Sequence, residues 1–104
     1  MGFYLQPDKP LFQLGVIEIT NGIKNAFEVD DLKPYLRRHV SGDWGEVCDE
    51  DKKASNTAMK AGCRILSVFT IQEIKVWIMT TGCRGLTSIM LGIILIGNLT
   101  SKSQ

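Results

Sequence analysis

The chain has little of what usually announces chemistry in a small protein. It carries one histidine and three cysteines, and no two cysteines form a Cys-x-x-Cys pair. Structural zinc normally draws two ligands from a short knuckle, so Cys48, Cys63 and Cys83 with His39 do not predict a metal site. An odd, widely spaced set also argues against a secreted disulfide framework and for a reducing, cytoplasmic setting. No phosphate-cradling or dinucleotide motif is present, and no cofactor is expected.

Charge of one sign is equally scarce. Twelve Lys+Arg against eleven Asp+Glu leave a net charge of +1, too little to draw the protein onto nucleic acid or a membrane surface. The first ten residues have neither a basic nor an apolar signal region, and the start lacks the Ser or Thr of a myristoylation motif. The apolar stretch from Leu86 to Leu99 stops short of the roughly 20 residues that span a bilayer, because Arg84 and Thr80-Thr81 interrupt it. It predicts a buried strand followed by a tail.

A length of 104 residues suits one domain. The expected division is a lead over 1–13, a single domain over 14–92 and a tail over 93–104. The run Ile93-Ile94-Leu95-Ile96 in that tail is hard for so small a monomer to hide and predicts an association surface, including a homodimer contact. Repeats and low-complexity segments are absent.

Within the domain, Gly15 to Thr20 alternates like a strand. Thr20 or Asn21 then caps a short helix carrying Ile23, Ala26 and Phe27. Asp30-Asp31 opens a second helix whose Leu32, Tyr35, Leu36, His39 and Val40 recur with helical period, with Pro34 expected in its first turn and Gly42 closing it. A third helix is expected from an Asp49 cap to Lys60, with Gly62 as its stop. From Cys63 the period becomes two, giving a meander of three strands through Gln72-Glu73, a pair poorly suited to a two-residue type I′ turn, and through Gly82–Gly85. The fold class predicted is α+β, with two to three helices on one face of an antiparallel sheet of about four strands.

The richest segment is Arg38-His39-Val40-Ser41-Gly42-Asp43-Trp44-Gly45. In a catalytic reading, His39 is an acid/base working with Ser41 or Asp43, and Arg64 or Arg84 steadies an anion, the parts of a metal-independent ribonuclease. In an architectural reading, His39 is a buried imidazole on the apolar stripe, and Ser41 and Asp43 tie the turn. A lone histidine on an apolar face favours the second. Lys33, Arg37 and Arg38 form an outer basic stripe which, with Trp44, is the expected partner-facing patch. Cys83 beside Arg84 is expected to be an inert exposed thiol, and Trp77 to be core.

Leu14-Gly15-x-Ile17 with Thr20-x-Gly22, His39-x-Ser41-Gly42-Asp43-Trp44-Gly45, Asp51-Lys52, Asn56, Ala58, Gly62-x-Arg64, Ser67 and Trp77-Ile78 resemble a family of small proteins carried by bacterial plasmids, integrative elements and phages, known as plasmid-related proteins. The resemblance runs from about Leu14 to Leu91. Family members usually carry Glu and Asp after the tryptophan strand; here Thr81 and Cys83 stand in their places, while Thr80, Arg84 and Thr87 keep the pattern. The resemblance implies an accessory protein of a mobile element. The expected function is a non-enzymatic binder that inhibits a host or defence-system protein such as a CRISPR effector, with a barnase-like ribonuclease or toxin centred on His39 as the alternative.

Overall fold

Alternating apolar residues after Ile65 make strands, and the helical stripe before them makes the layer that covers one side. The computed structural model describes residues 2–3 and 10–92. Its elements are β1 (Gly2–Phe3), β2 (Val16–Ile19), α1 (Asn21–Ala26), α2 (Val29–Val40), α3 (Asp49–Ala61), β3 (Ile65–Ile71), β4 (Ile74–Thr80) and β5 (Leu86–Leu91). The fold is α+β, with a sheet ordered β1-β2-β5-β4-β3.

One pairing departs from the expected antiparallel sheet. β3, β4 and β5 form the meander, but β2 lies parallel to β5, from Val16 opposite Leu86 to Ile19 opposite Ile89. β4 holds one edge of β5, so β2 takes the other. The three helices and the hairpin between β2 and β5 supply the long connection that a parallel pair needs. The sheet is therefore mixed.

The inward side chains of the sheet, Ile17, Ile19, Ile65, Phe69, Val76, Ile78 and Ile89, meet Ile23, Leu32, Leu36 and Val40 from α1 and α2. Each such side chain stabilises the fold by about 1.5–3 kcal/mol. Phe12, from the lead, belongs to the same core.

The start of α2 differs from expectation. It begins at Val29, where Glu28 and Asp31 form a capping box that satisfies amides of the first turn reciprocally. Pro34 is thereby moved into the second turn, where it has no N–H for the carbonyl of Asp30; Asp30 is exposed, so water can serve instead. The helix α3 has Cys48, one residue before the expected Asp49, as its N-cap. Asp49, Glu50 and Asp51 suit its positive end, and Gly62 ends it in the left-handed conformation.

Gln72-Glu73 does make a two-residue turn, since Ile71 pairs with Ile74. Both residues take positive φ, 51° and 70°. The register of the two long flanking strands imposes this geometry on residues that do not favour it.

Candidate functional site

His39 lies in the last turn of α2, next to its final residue, and is fully buried. Its Nδ1 meets the Ser67 hydroxyl of β3 at 2.5 Å and its Nε2 meets Thr80 Oγ1 of β4 at 2.9 Å. Thr80 Oγ1 is 2.7 Å from Thr87 Oγ1 of β5, and Thr87 donates to the Leu14 carbonyl at 2.7 Å. A chain of polar groups thus crosses the apolar core from α2 over three strands to the segment before β2.

Donor counting fixes the direction of that chain. Thr87 has one proton, which goes to Leu14, so it accepts from Thr80. Thr80 has then used its own proton and accepts from His39, which requires a proton on Nε2. Burial pushes the imidazole pKa from 6.5 to about 3, with the nearby Arg84 charge acting in the same direction, so the ring is neutral and Nδ1 is bare. Ser67 donates to it. Each hydroxyl proton has one acceptor and both ring nitrogens are satisfied, as a buried imidazole requires.

The other motif residues serve the same layer. Asp43 Oδ2 accepts from Arg38 Nε at 2.7 Å and Oδ1 from the Gly45 amide at 3.0 Å. Chiefly through the Arg38 bond, the Asp43 carboxyl is held below its ordinary pKa. This loop sets Trp44–Glu46 along the outer edge of β3, where Val68 N–H donates to the Trp44 carbonyl and Glu46 N–H to the Val68 carbonyl. An exposed strand edge is a template for aggregation, and the motif covers it. Gly45 has φ +73°, and a Cβ there would collide with the Val68 carbonyl.

Trp44 corrects the expected partner patch: it is 3 % exposed, stacked on Phe12 and edge-on to His39, with its indole N–H donated to Asn56 Oδ1 at 2.9 Å. Asn56 holds it from α3, so it faces the core. Of the basic stripe, Lys33 pairs with Asp30 at 3.1 Å, and Arg38, besides binding Asp43, lies over the Phe69 ring at 4.7 Å. Arg37 is exposed.

Arg84, the expected anion holder, instead donates to four backbone carbonyls: Cys63 and Thr81 from Nη1, Ala58 and Met59 from Nη2. A guanidinium at a helix C-terminus neutralises the negative end of the dipole, so Arg84 ties the β4–β5 turn to the end of α3. Ser41 is exposed at the end of α2, and Arg64, the residue just before β3, lies on the wall of a groove. The His39, Ser41, Asp43, Arg64 and Arg84 side chains do not converge on one point.

Ser67, Thr80 and Thr87 are the residues that reading for catalysis passes over. Their signal is polarity at inward strand positions, where each in-strand neighbour two residues away is isoleucine or phenylalanine.

The groove lies on the outward side of the sheet, with α3 as one wall. It has a volume of about 480 Å³; Leu66, Trp77, Met79 and Met90 line it from the strands, with Ala54 and Val47 opposite and Asp51 and Arg64 also contributing. Trp77 corrects another expectation: it points away from the core and is half-buried here.

Cys48, Cys63 and Cys83 are free and exposed. The Cys83 thiol pKa is lowered, first by the Thr81 hydroxyl and then by the Gly85 amide. Among the described residues, no cluster of three or more His, Cys, Asp or Glu is placed to hold a metal, and no helix is long and apolar enough to cross a membrane. The tail expectations at 93–104 lie outside the described residues. No family model, curated protein or solved structure matches the chain.

Proposed function

We propose that this protein is a non-enzymatic binder that engages a protein partner through the groove between α3 and the outward face of the sheet. The observation that carries this reading is the groove itself. Its floor presents Trp77 beside Met79 and Met90, an aromatic anchor of the kind that dominates binding energy, next to thioether side chains that adapt to an incoming surface. Its volume suits a few apolar side chains of a partner helix or strand.

The histidine motif supports the same reading from the other side. His39 is sealed in the core with both nitrogens engaged, where it reaches no substrate. The resemblance to mobile-element proteins makes a host defence protein, such as a CRISPR effector, the target class.

The test places the chain in a bacterium with an active CRISPR defence and challenges it with a targeted plasmid. Expected is restored plasmid survival with the wild-type chain and its loss with Met79→Glu, which puts a charge in the groove while leaving the core untouched. Full protection by a folded Met79→Glu variant would reject the groove; no protection by the wild type would reject this target class.

A further inference from the structure

We propose that the partner segment received by the groove is an amphipathic α-helix that sets an acidic residue against Arg64 and a basic residue against Asp51, two helical turns apart. The inference rests on the groove being the recognition surface argued above, and adds the chemistry of its occupant.

The backbone selects a helix. The floor is built from side chains of β4 and β5, which are interior strands, and of β3, whose outer edge is held by Trp44–Glu46. No strand edge therefore opens into the groove. An extended segment lying there would carry amide and carbonyl groups out of water without partners, which is costly. A helix satisfies its own and presents only side chains.

The α3 wall admits such a helix closely. Asp51, Ala54, Ser55 and Ala58 are spaced i, i+3, i+4 and i+7, so they share one face, and all of them line the groove. Beyond Asp51 that face carries nothing larger than alanine or serine, and small residues at the contact shorten the distance between packed helices.

Charge fixes the occupant's pattern. Asp51 and Arg64 are the charged residues of the lining. Both are exposed and lie outside the ion pairs of the described residues, which join Lys33 to Asp30, Arg38 to Asp43 and Lys75 to Glu46. They stand at opposite ends. The wall runs from Asp51 to Ala58, roughly 10 Å along the helix axis, before α3 stops at Gly62 and the chain reverses into β3, which puts Arg64 at the Ala58 end beside the Leu66–Met79 pair. Trp44–Glu46, leading into α3, runs beside Val68, the cross-strand partner of Trp77, so Asp51 stands at the Trp77 end. Residues i and i+7 of a partner helix span the same length on one face, leaving i+3 and i+4 to place apolar side chains over Trp77 and the methionines. Opposite charges at the rim then select the partner.

The experiment selects binders to the full-length chain from two phage-displayed peptide libraries. One has apolar residues at helical spacing, the other at alternating positions, and both carry Lys, Glu or Gln at random elsewhere. Expected is enrichment, from the helical library, of peptides with one acidic and one basic residue at i and i+7. Arg64→Glu should enrich Lys at both positions, and Asp51→Lys should enrich Glu at both. A peptide selected on the wild type should bind either variant about tenfold more weakly and lose binding to Met79→Glu. Unchanged thermal midpoints check that the two exposed substitutions leave the fold intact. No enrichment on the folded wild-type chain, enrichment from the alternating library, or a charge pattern indifferent to the two substitutions would overturn the inference. No host protein takes part, so the charge pattern can fail while plasmid protection persists, or hold while protection fails.

Discussion

His39 Nε2 and Thr80 Oγ1 meet at 2.9 Å across 41 residues of sequence, joining the C-terminal turn of α2 to the last residue of β4. Removing the hydroxyl leaves a buried N–H without an acceptor, at a cost of about 1–3 kcal/mol. Thr80→Val, nearly isosteric, should lower stability by that amount in urea unfolding. Ser67→Ala should cost a similar amount by leaving Nδ1 bare. A double variant that costs much less than the sum would show that the chain acts as one unit.

Stability should also fall in mild acid. Unfolding returns His39 from a pKa of about 3 to about 6.5. Between those pH values the unfolded chain binds a proton that the folded chain does not, so the contribution is full above pH 6.5 and declines as pH falls, by roughly 1.4 kcal/mol per unit while only the unfolded imidazole is protonated. Asp43, whose pKa is lowered mainly by its bond to Arg38, acts in the same direction at lower pH. Denaturant midpoints measured from pH 8 to pH 4 check this, and His39→Gln should flatten the upper part of the curve.

The two-residue turn offers a gain. Gln72 and Glu73 both hold positive φ, which disfavours ordinary side chains and suits Asn-Gly. Gln72→Asn with Glu73→Gly should stabilise the protein by about 1 kcal/mol, read as a rise in thermal midpoint.

Two glycines with similar φ separate backbone strain from collision. At Gly62, φ +75°, an added Cβ meets open space; at Gly45, φ +73°, it meets the Val68 carbonyl. Gly62→Ala should cost about 1–2 kcal/mol, the left-handed penalty alone. Gly45→Ala should cost more and uncover the β3 edge, which a light-scattering measurement of aggregation would register.

Much of the fold was legible in the sequence because its signals were local. The stripe Leu32/Leu36/Val40, the alternation from Ile65 and Gly62 as a stop each depend on near neighbours. The parallel pairing of β2 with β5 was not, since it depends on which sheet edge remains free after the meander closes. Pro34 was misplaced for a related reason: the Glu28/Asp31 capping box sets the helix start three residues ahead of the first strongly apolar position. At the site, Asp43 and Gly42 were readable as turn residues. Arg84 and Trp44 were not, because a guanidinium gives no sequence sign that it will meet backbone carbonyls from α3, and an indole in a polar loop resembles an exposed anchor until Asn56 is placed against it.

The most direct measurement is the protonation state of His39 itself, read from the ring nitrogens by nitrogen-15 NMR on the full-length protein between pH 4 and pH 8. A neutral ring protonated on Nε2 and unchanged across that range is expected, as the Ser67–His39–Thr80–Thr87–Leu14 chain requires. A ring that titrates near pH 6.5, or one protonated on Nδ1, would contradict the closed chain and return His39 to the list of candidate acid–base groups.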